Sequence, residues 1–169
     1  MESAQNPPGQ DSEGYNQQAP NNNPTPAQGA GKSGTKTTDI ETPRLCVDVI
    51  IDMGSGLFPL IQRKNEPHGW ALPGGFVDIG ETVEEAALRE VHEELGMDVE
   101  LIRQFHVYSH PNRDARGHSV SVVFLARGWG EPKAGSDAKA VELYHEMNLP
   151  QDMCFDHKQI LKDFFVLRY

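Results

Sequence analysis

Five short segments concentrate apolar and β-branched residues in the pattern typical of β-strands. These segments are residues 46–51, 57–63, 70–72, 99–108 and 119–126. Pro59 lies inside the second segment, and a proline cannot donate a hydrogen bond to a neighbouring strand. We therefore expect that strand to be bulged or to lie at a sheet edge. Residues 129–138 (WGEPKAGSDA) are rich in turn-forming residues and are predicted to form a loop.

The segment that follows Thr82 instead shows the period of an amphipathic helix. Thr82 and Glu85, three residues later, form a capping-box pattern that predicts a helix beginning at Val83. Gly96 is a typical C-terminal stop. At about 3.6 residues per turn, an acidic and an apolar face lie nearly opposite each other. These faces carry Glu90, Glu93 and Glu94 on one side and Leu88, Val91 and Leu95 on the other.

A second capping-box pattern, Asp156 with Gln159, predicts a last helix that runs through Phe165. Strands therefore precede the central helix, further strands follow it, and a helix ends the chain. This order predicts an α/β fold in which helices pack on a mixed β-sheet to form a sandwich.

The first 38 residues have a different composition from the rest of the chain. They contain no Leu, Ile, Val, Phe or Trp and are rich in Gln, Asn, Pro, Gly and Ser. Such a segment cannot bury enough apolar surface to offset the conformational entropy that ordering would cost. We expect residues 1–38 to be a disordered tail and residues 39–169 to form the folded domain.

The chain carries a formal net charge of −10, and more than half of it lies in one segment. Residues 75–97 contain seven carboxylates and one arginine, a balance of −6. No basic stripe offers neutralisation of phosphates, so we expect no nucleic-acid partner. Since the sequence shows neither an apolar run long enough to cross a bilayer nor a signal peptide, we expect no membrane association and a cytoplasmic location.

The acidic helix face is the strongest indication of chemistry. A solvated surface explains Glu84 and Glu85 well, but it explains Glu90, Glu93 and Glu94 poorly. At this helical spacing the three carboxylates repel one another unless a cation lies between them. Carboxylate oxygens are the usual ligands of hard cations such as Mg²⁺ and Mn²⁺. The spacing therefore predicts a divalent-cation site on this helix.

The same segment resembles the sequence signature of a known family. Gly75, Glu81 and residues 89–97 (REVHEELGM) match the Nudix box without a mismatch. On these residues the chain is similar to the Nudix hydrolases, and the resemblance extends from about residue 47 to residue 161. It implies a Nudix-like α/β/α sandwich and an enzyme that hydrolyses a nucleoside diphosphate linked to another group, using divalent cations.

The resemblance also implies a role for each residue of the box. The groups that would bind Mg²⁺, with Mn²⁺ as the alternative ion, are the Gly74 carbonyl, Glu90, Glu93 and Glu94. Glu81 and Arg89 would orient these carboxylates as members of the catalytic set. Glu93 and Glu94 are also the candidates for a general base.

A second stretch, residues 109–126, resembles the small ADP-ribose pyrophosphatases of the family. Pro111, fourteen residues after Met97, corresponds to the proline associated with a preference for ADP-ribose. Arg113 and Arg116 belong to a run similar to the family's RDPRGH, with alanine in place of proline. We expect both arginines to contact phosphate or ribose oxygens. The alternative is a polar loop whose arginines pair with its own aspartates.

Further candidates lie outside these two stretches. Arg63 and Trp70 precede the box and are predicted to bind substrate, with Trp70 stacking on adenine; a core position is the alternative for this tryptophan. Residues 155–157 resemble the family's FDH element, which we interpret as a packing and capping device.

The sequence leaves the general base open. Many relatives carry a glutamate in the loop after the last long strand, and the resemblance places Ala140 at that point. Asp137 and Glu142 are neighbours that could replace it. Glu93 or Glu94 could instead take the proton, or a water activated by the metal could need little help.

The leading functional prediction is hydrolysis of ADP-ribose, a small-molecule nucleotide, to AMP and ribose 5-phosphate. Two alternatives stay open: a pyrophosphohydrolase of oxidised or non-standard nucleoside triphosphates, and a non-catalytic module that senses ADP-ribose. Because members of the family are often dimers, the resemblance also implies a possible homodimer.

Overall fold

The structure is a computed structural model that describes residues 41–135 and 138–167. The chain divides into two units, and every described residue belongs to the second, Ile40–Tyr169. The predicted tail, residues 1–38, and the candidate base Asp137 lie outside the described residues.

The described chain contains seven strands, two α-helices and one short 3₁₀ helix. The strands are β1 (Arg44–Asp52), β2 (Leu57–Arg63), β3 (Trp70–Ala71), β4 (Gly74–Phe76), β5 (Val99–Tyr108), β6 (Ser119–Gly128) and β7 (Ala138–His145). The helices are α1 (Val83–Leu95), the 3₁₀ helix at Glu146–Asn148 and α2 (His157–Leu167). The five predicted strands and both predicted helices are confirmed, whereas β4 and β7 have no counterpart in the sequence-based prediction.

The strands form two sheets. The four-stranded sheet has the order β4-β1-β6-β5 and is mixed, because β1 and β6 run parallel while the other neighbours are antiparallel. The three-stranded sheet has the order β3-β2-β7 and is antiparallel.

Strand β2, which contains Pro59, lies between β3 and β7 and is not an edge strand. The alternative prediction, a bulged strand, is confirmed, but the irregularity lies between Gln62 and Arg63 and not at the proline. Since β3 pairs with β2 only at Ile61 and Gln62, Pro59 has a partner strand on one side alone. The short β3 therefore leaves room for a proline in a central strand.

Alternate residues of β1 point to opposite faces of the sheet. Val47, Val49 and Ile51 join the core cluster that contains buried residues of α1. Ile50 joins the second cluster, which contains buried residues of α2, and Asp48 lies on that same face. The sheets thus lie between α1 on one side and α2 on the other, which is the predicted α/β/α sandwich. Within the described chain neither helix has the length and apolar content that crossing a membrane requires.

Candidate active site

Helix α1 begins and ends where the sequence predicts. The Thr82 hydroxyl accepts a hydrogen bond from the Glu85 N–H at 3.2 Å, and the Glu85 carboxylate accepts one from the Thr82 N–H at 2.8 Å. Gly96 ends the helix at a left-handed φ of 61°, which favours glycine. A side chain at Gly75 would collide with the Glu90 carboxylate, so the glycine lets β4 approach the acidic face of α1 closely.

Beside β4 and α1 lies a cavity of about 230 Å³. Two groups of side chains with opposite charge line it, together with Gly74 and Gly75. The acidic wall, as we call it, consists of Glu90 and Glu94 of α1. The basic wall consists of Arg63 and Arg116, together with the uncharged Phe155 ring that lies against both.

Glu94 lies at the bottom of the acidic wall and is only 6% exposed. Its Oε2 accepts a hydrogen bond from the Gly74 N–H at 2.9 Å. Burial raises the pKa of Glu94 to about 8, and the nearby Glu90 carboxylate adds to this rise, although the Gly74 N–H opposes it. A carboxylate in this position is incompletely compensated by the protein, which favours a bound cation.

Arg89 holds the neighbouring carboxylates together. Its Nη2 donates to Glu81 at 2.7 Å, and its Nη1 donates to Glu90 at 2.9 Å and to Glu93 at 3.4 Å. Hydrogen bonds from Arg89, together with the Asp78 N–H, lower the pKa of Glu81 to about 2. The structure therefore brings the predicted orienting pair into contact with the predicted metal ligand Glu90.

The donor set fits a hard divalent cation in its chemistry. Glu90 and Glu94 present carboxylate oxygens to the cavity, and burial raises the pKa of Glu90 as well. Glu93 does not line the cavity, and its side chain is 55% exposed. In the described part of the chain no three acidic, histidine or cysteine side chains already surround one point. Two of the predicted ligands are instead held by Arg89, and Glu94 is held by the Gly74 N–H.

The basic wall contains two of the predicted substrate-binding residues. The Arg63 guanidinium lies 5.1 Å from the centroid of the Phe155 ring, and the Arg116 guanidinium lies 5.0 Å from it. Arg116 also donates two hydrogen bonds to Asp114, from Nε at 3.0 Å and from Nη2 at 2.8 Å. The loop thus pairs one arginine with its own aspartate and still places it in the cavity.

Arg113 also lines the cavity, but it is 7% exposed and all three of its nitrogens have protein partners. Nε and Nη2 donate to Asp156 at 3.0 and 2.8 Å, which is a bidentate pair. Nη1 donates to Ser119 at 3.1 Å, and Nη2 also reaches Asp48 at 3.3 Å. The expected contact of Arg113 with substrate oxygens is corrected: this guanidinium ties the β5–β6 loop to β1 and to the start of α2.

Three residues of this buried network, Asp48, Ser119 and Ser121, were not predicted from the sequence as site residues. The Leu72 N–H donates to Nδ1 of His157 at 2.9 Å, so the ring carries its proton on Nε2. Nε2 donates to Asp48 at 3.2 Å, and the Ser121 hydroxyl donates to the same carboxylate. Burial alone would raise the pKa of Asp48, but His157, Ser121 and Arg113 together lower it. The signal for Asp48 was its position as the one carboxylate in the apolar segment 46–51.

The predicted capping box at the start of α2 is not formed. The Asp156 carboxylate accepts from Arg113, and the Gln159 side-chain amide donates to Asp163 at 2.7 Å. Within the FDH element, residues 155–157, Phe155 and His157 line the cavity, and Asp156 and His157 anchor the buried network.

Trp70 and Pro111 are not brought to the cavity. Trp70 is buried in the core and contacts Tyr144 edge-on, with 5.1 Å between ring centroids. Pro111 is exposed in the β5–β6 loop. Neither residue lines the cavity, so the predicted stacking of Trp70 on adenine is corrected to a core position.

Ala140 and Glu142 lie in β7 and not in a loop. Ala140 pairs with Gln62 of β2 and packs against the second core cluster. Glu142 accepts a hydrogen bond from the Tyr144 hydroxyl at 3.1 Å. Since neither residue lines the cavity, Glu142 does not replace the missing glutamate.

The site and the fold agree with the match to a family model. A NUDIX domain matches residues 42–164, which is most of the chain, and the chain therefore belongs to the Nudix family. This family uses divalent metals, in agreement with the donor set of the acidic wall.

Individual relatives make the comparison more specific. The chain is 48% identical over 125 residues to an ADP-ribose pyrophosphatase of Methanocaldococcus jannaschii, covering 72% of this chain and 73% of that one. It is 34% identical to an ADPR responsive transcriptional repressor, NtrR, of Acinetobacter baylyi, covering 76% of this chain but only 55% of the repressor. The Nudix domain of Shewanella oneidensis NrtR, solved in complex with ADP ribose, has a TM-score of 0.72 at 25% identity, covering 80% of this chain and 95% of that domain.

Proposed function

We propose that the chain hydrolyses ADP-ribose to AMP and ribose 5-phosphate with Mg²⁺. The observation that carries this proposal is one cavity lined by both the acidic wall and the basic wall. A diphosphate carries negative charge, so it requires a cation between itself and the carboxylates, and it gains hydrogen bonds from guanidinium groups. The 48% identity to an archaeal ADP-ribose pyrophosphatase supports ADP-ribose as the substrate.

Different residues of the site would bind the cation and orient its ligands. Glu90, Glu94 and the Gly74 carbonyl would hold the cation, with Glu93 as the remaining predicted ligand. When bound, a divalent ion neutralises the diphosphate and lowers the pKa of water. Arg89 keeps the Glu90 carboxylate in place, because its Nη1 donates to Glu90 while its Nη2 donates to Glu81.

Glu94 is our candidate for the general base. Of the two predicted bases, Glu93 and Glu94, only Glu94 lines the cavity. A bound cation would keep this buried carboxyl ionised, which a group that accepts a proton requires.

The test is product analysis with purified protein, ADP-ribose and Mg²⁺. We expect AMP to form with the wild type and with Glu84→Gln, an exposed position on the same helix, but not with Glu94→Gln. Absence of AMP above the level of the Glu94→Gln variant would contradict the proposal. A panel that includes oxidised nucleoside triphosphates decides the substrate, since a higher kcat/KM for a triphosphate would favour the alternative hydrolase.

A second candidate function is sensing of ADP-ribose without turnover. The similarity to an ADPR responsive repressor favours it, although this chain spans about half of that protein. Calorimetry at saturating Mg²⁺ separates the two functions: binding of ADP-ribose with no release of AMP over hours would establish the sensor.

Three further properties belong to the proposal. They are the choice of Mg²⁺ over Mn²⁺, assembly as a homodimer and a cytoplasmic location. Light scattering coupled to gel filtration tests the assembly, and a mass of one chain at micromolar concentration would exclude the homodimer. Activity titrations with each metal salt test the choice of ion.

A further inference from the structure

Phe155 has an unusual backbone conformation for a large side chain. Its φ is 56°, in the left-handed region, where the β-carbon of an L-residue meets the following carbonyl. Such residues persist only where the surrounding structure imposes the conformation, and they cluster at functional sites. Ser55 is the other described non-glycine residue with a positive φ, at 54°, and it lies in the turn between β1 and β2.

The two residues that follow Phe155 account for this conformation. Asp156 is held by the bidentate contact with Arg113, and His157 is held between Asp48 and the Leu72 N–H. On the other side, the Cys154 N–H donates to the Trp70 carbonyl at 2.8 Å. The chain is therefore fixed on both sides of Phe155, and its ring is directed into the cavity.

The Phe155 ring joins two arginines from segments far apart in the sequence. Arg63 ends β2 and Arg116 lies in the β5–β6 loop, yet each guanidinium lies about 5 Å from the ring centroid. A cation over an aromatic face is attracted to it, so the ring fixes both groups in the cavity. The Arg116 charge is offset by Asp114, whereas Arg63 donates to the Pro67 and Glu66 carbonyls. In the described part of the chain no carboxylate lies within ion-pair distance of Arg63.

We propose that Phe155 is a positioning residue that aligns Arg63 and Arg116 as a clamp for the phosphate groups of the ligand. Two cations held against one ring repel each other, and an anion between or beside them removes that repulsion. Guanidinium groups donate pairs of hydrogen bonds to phosphate oxygens. The proposal rests on the proposed function only for the identity of the substrate. The clamp itself would bind any ligand that carries a diphosphate.

The test uses full-length variants and inorganic pyrophosphate at fixed free Mg²⁺. Phe155→Gly removes the ring, and glycine adopts the left-handed conformation freely, so the backbone is expected to keep its course. Phe155→Asn is a second variant without the ring, because asparagine also tolerates this conformation. Phe155→Tyr keeps the ring, and Ser55→Gly relieves the same backbone conformation away from the cavity. Thermal unfolding verifies that each variant is folded.

We expect both ringless variants to bind pyrophosphate about tenfold more weakly by calorimetry, the loss of roughly one charge-assisted hydrogen bond. Phe155→Tyr and Ser55→Gly should stay within twofold of the wild type. For ADP-ribose the KM should rise by a similar factor while kcat changes less.

Unchanged pyrophosphate affinity in folded Phe155→Gly and Phe155→Asn would overturn the clamp. If the KM for ADP-ribose rose in those variants all the same, the Phe155 ring would instead contact the adenine of the substrate. Failure of the wild type to bind pyrophosphate would also overturn it. If ADP-ribose is not hydrolysed but the ringless variants still lose pyrophosphate binding, the proposed function fails and the clamp stands.

Discussion

The acidic wall belongs to a single helix, α1, whereas the basic wall is assembled from three segments that lie far apart in the chain. A capping box and a turn suffice to position the glutamates of α1. Phe155 and the loop that carries Arg116 are held instead by a buried network centred on Asp48 and Arg113. The first wall should therefore tolerate changes in distant strands, while the second should fail when a single buried contact is lost.

The largest effect is expected for Asp48→Ala. This change leaves the buried donors of Arg113, His157 and Ser121 without their shared acceptor. Breaking a buried pair by removing one partner costs about 3–5 kcal/mol, and we expect urea unfolding to show a loss of that order. Asp98→Ala is the matched control, because the Asp98 side chain is exposed and pairs with His92, which is exposed too; it should change stability by less than about 0.5 kcal/mol. Equal losses in the two variants would show that the network does not hold the fold together.

Glu94→Gln is expected to separate stability from activity. The folded-state pKa of Glu94 is raised to about 8, so the folded protein binds more protons than the unfolded chain as the pH rises from 4.5. Without metal, the free energy of unfolding therefore falls as the pH rises from 4.5 to about 8. The variant keeps the shape of the side chain without the charge, and we expect it to be more stable by about 2–4 kcal/mol at pH 8 and inactive.

Urea unfolding with EDTA at pH 5 and pH 8 measures this difference. The gain should be large at pH 8 and small at pH 5, where the wild-type carboxyl is already protonated. A variant that is less stable than the wild type at pH 8 would contradict the buried, uncompensated charge on which the acidic wall depends.

Local sequence signals were sufficient for the acidic wall. Thr82, Glu85 and Gly96 determine where α1 begins and ends, and each acts on groups within a few residues of itself. The spacing of the glutamates then follows from helix geometry alone. Strand β5 begins and ends at the predicted residues, whereas β1 is three residues longer and β6 two residues longer than the predicted segments.

Contacts between distant residues explain what the sequence did not reveal. Strand β7 is half-exposed and carries Lys139 and Glu142, so it lacks a strong strand pattern and forms by pairing with β2. That pairing also places Pro59 in a central strand. Asp48 and Phe155 gain their roles only when β1, the β5–β6 loop and the start of α2 come together. No local rule predicts that arrangement.

A smaller effect is expected for Arg89→Lys. Lysine keeps the charge, but a single ammonium group cannot bond to Glu81, Glu90 and the Phe76 carbonyl as the guanidinium does. Residues that orient metal ligands contribute about 10–100-fold to metal affinity, so the Mg²⁺ concentration for half-maximal activity should rise by that factor. Arg103→Lys, at an exposed position of β5, is the control. A rise of the same size in this control would show that the fork of Arg89 is not what holds the acidic wall.

The smallest effect is expected for Thr82→Ala, which tests how local the acidic wall is. The change removes the hydroxyl that accepts from the Glu85 N–H, and losing such a cap costs about 1 kcal/mol. The free energy of unfolding should fall by this amount, while the affinity for pyrophosphate should not change, because Thr82 does not line the cavity. Ser119→Ala is the contrasting change in the buried network, since its hydroxyl accepts from Arg113. If Thr82→Ala weakened pyrophosphate binding as much as Ser119→Ala, the two walls would be one cooperative unit, and the contrast between local and long-range construction would be wrong.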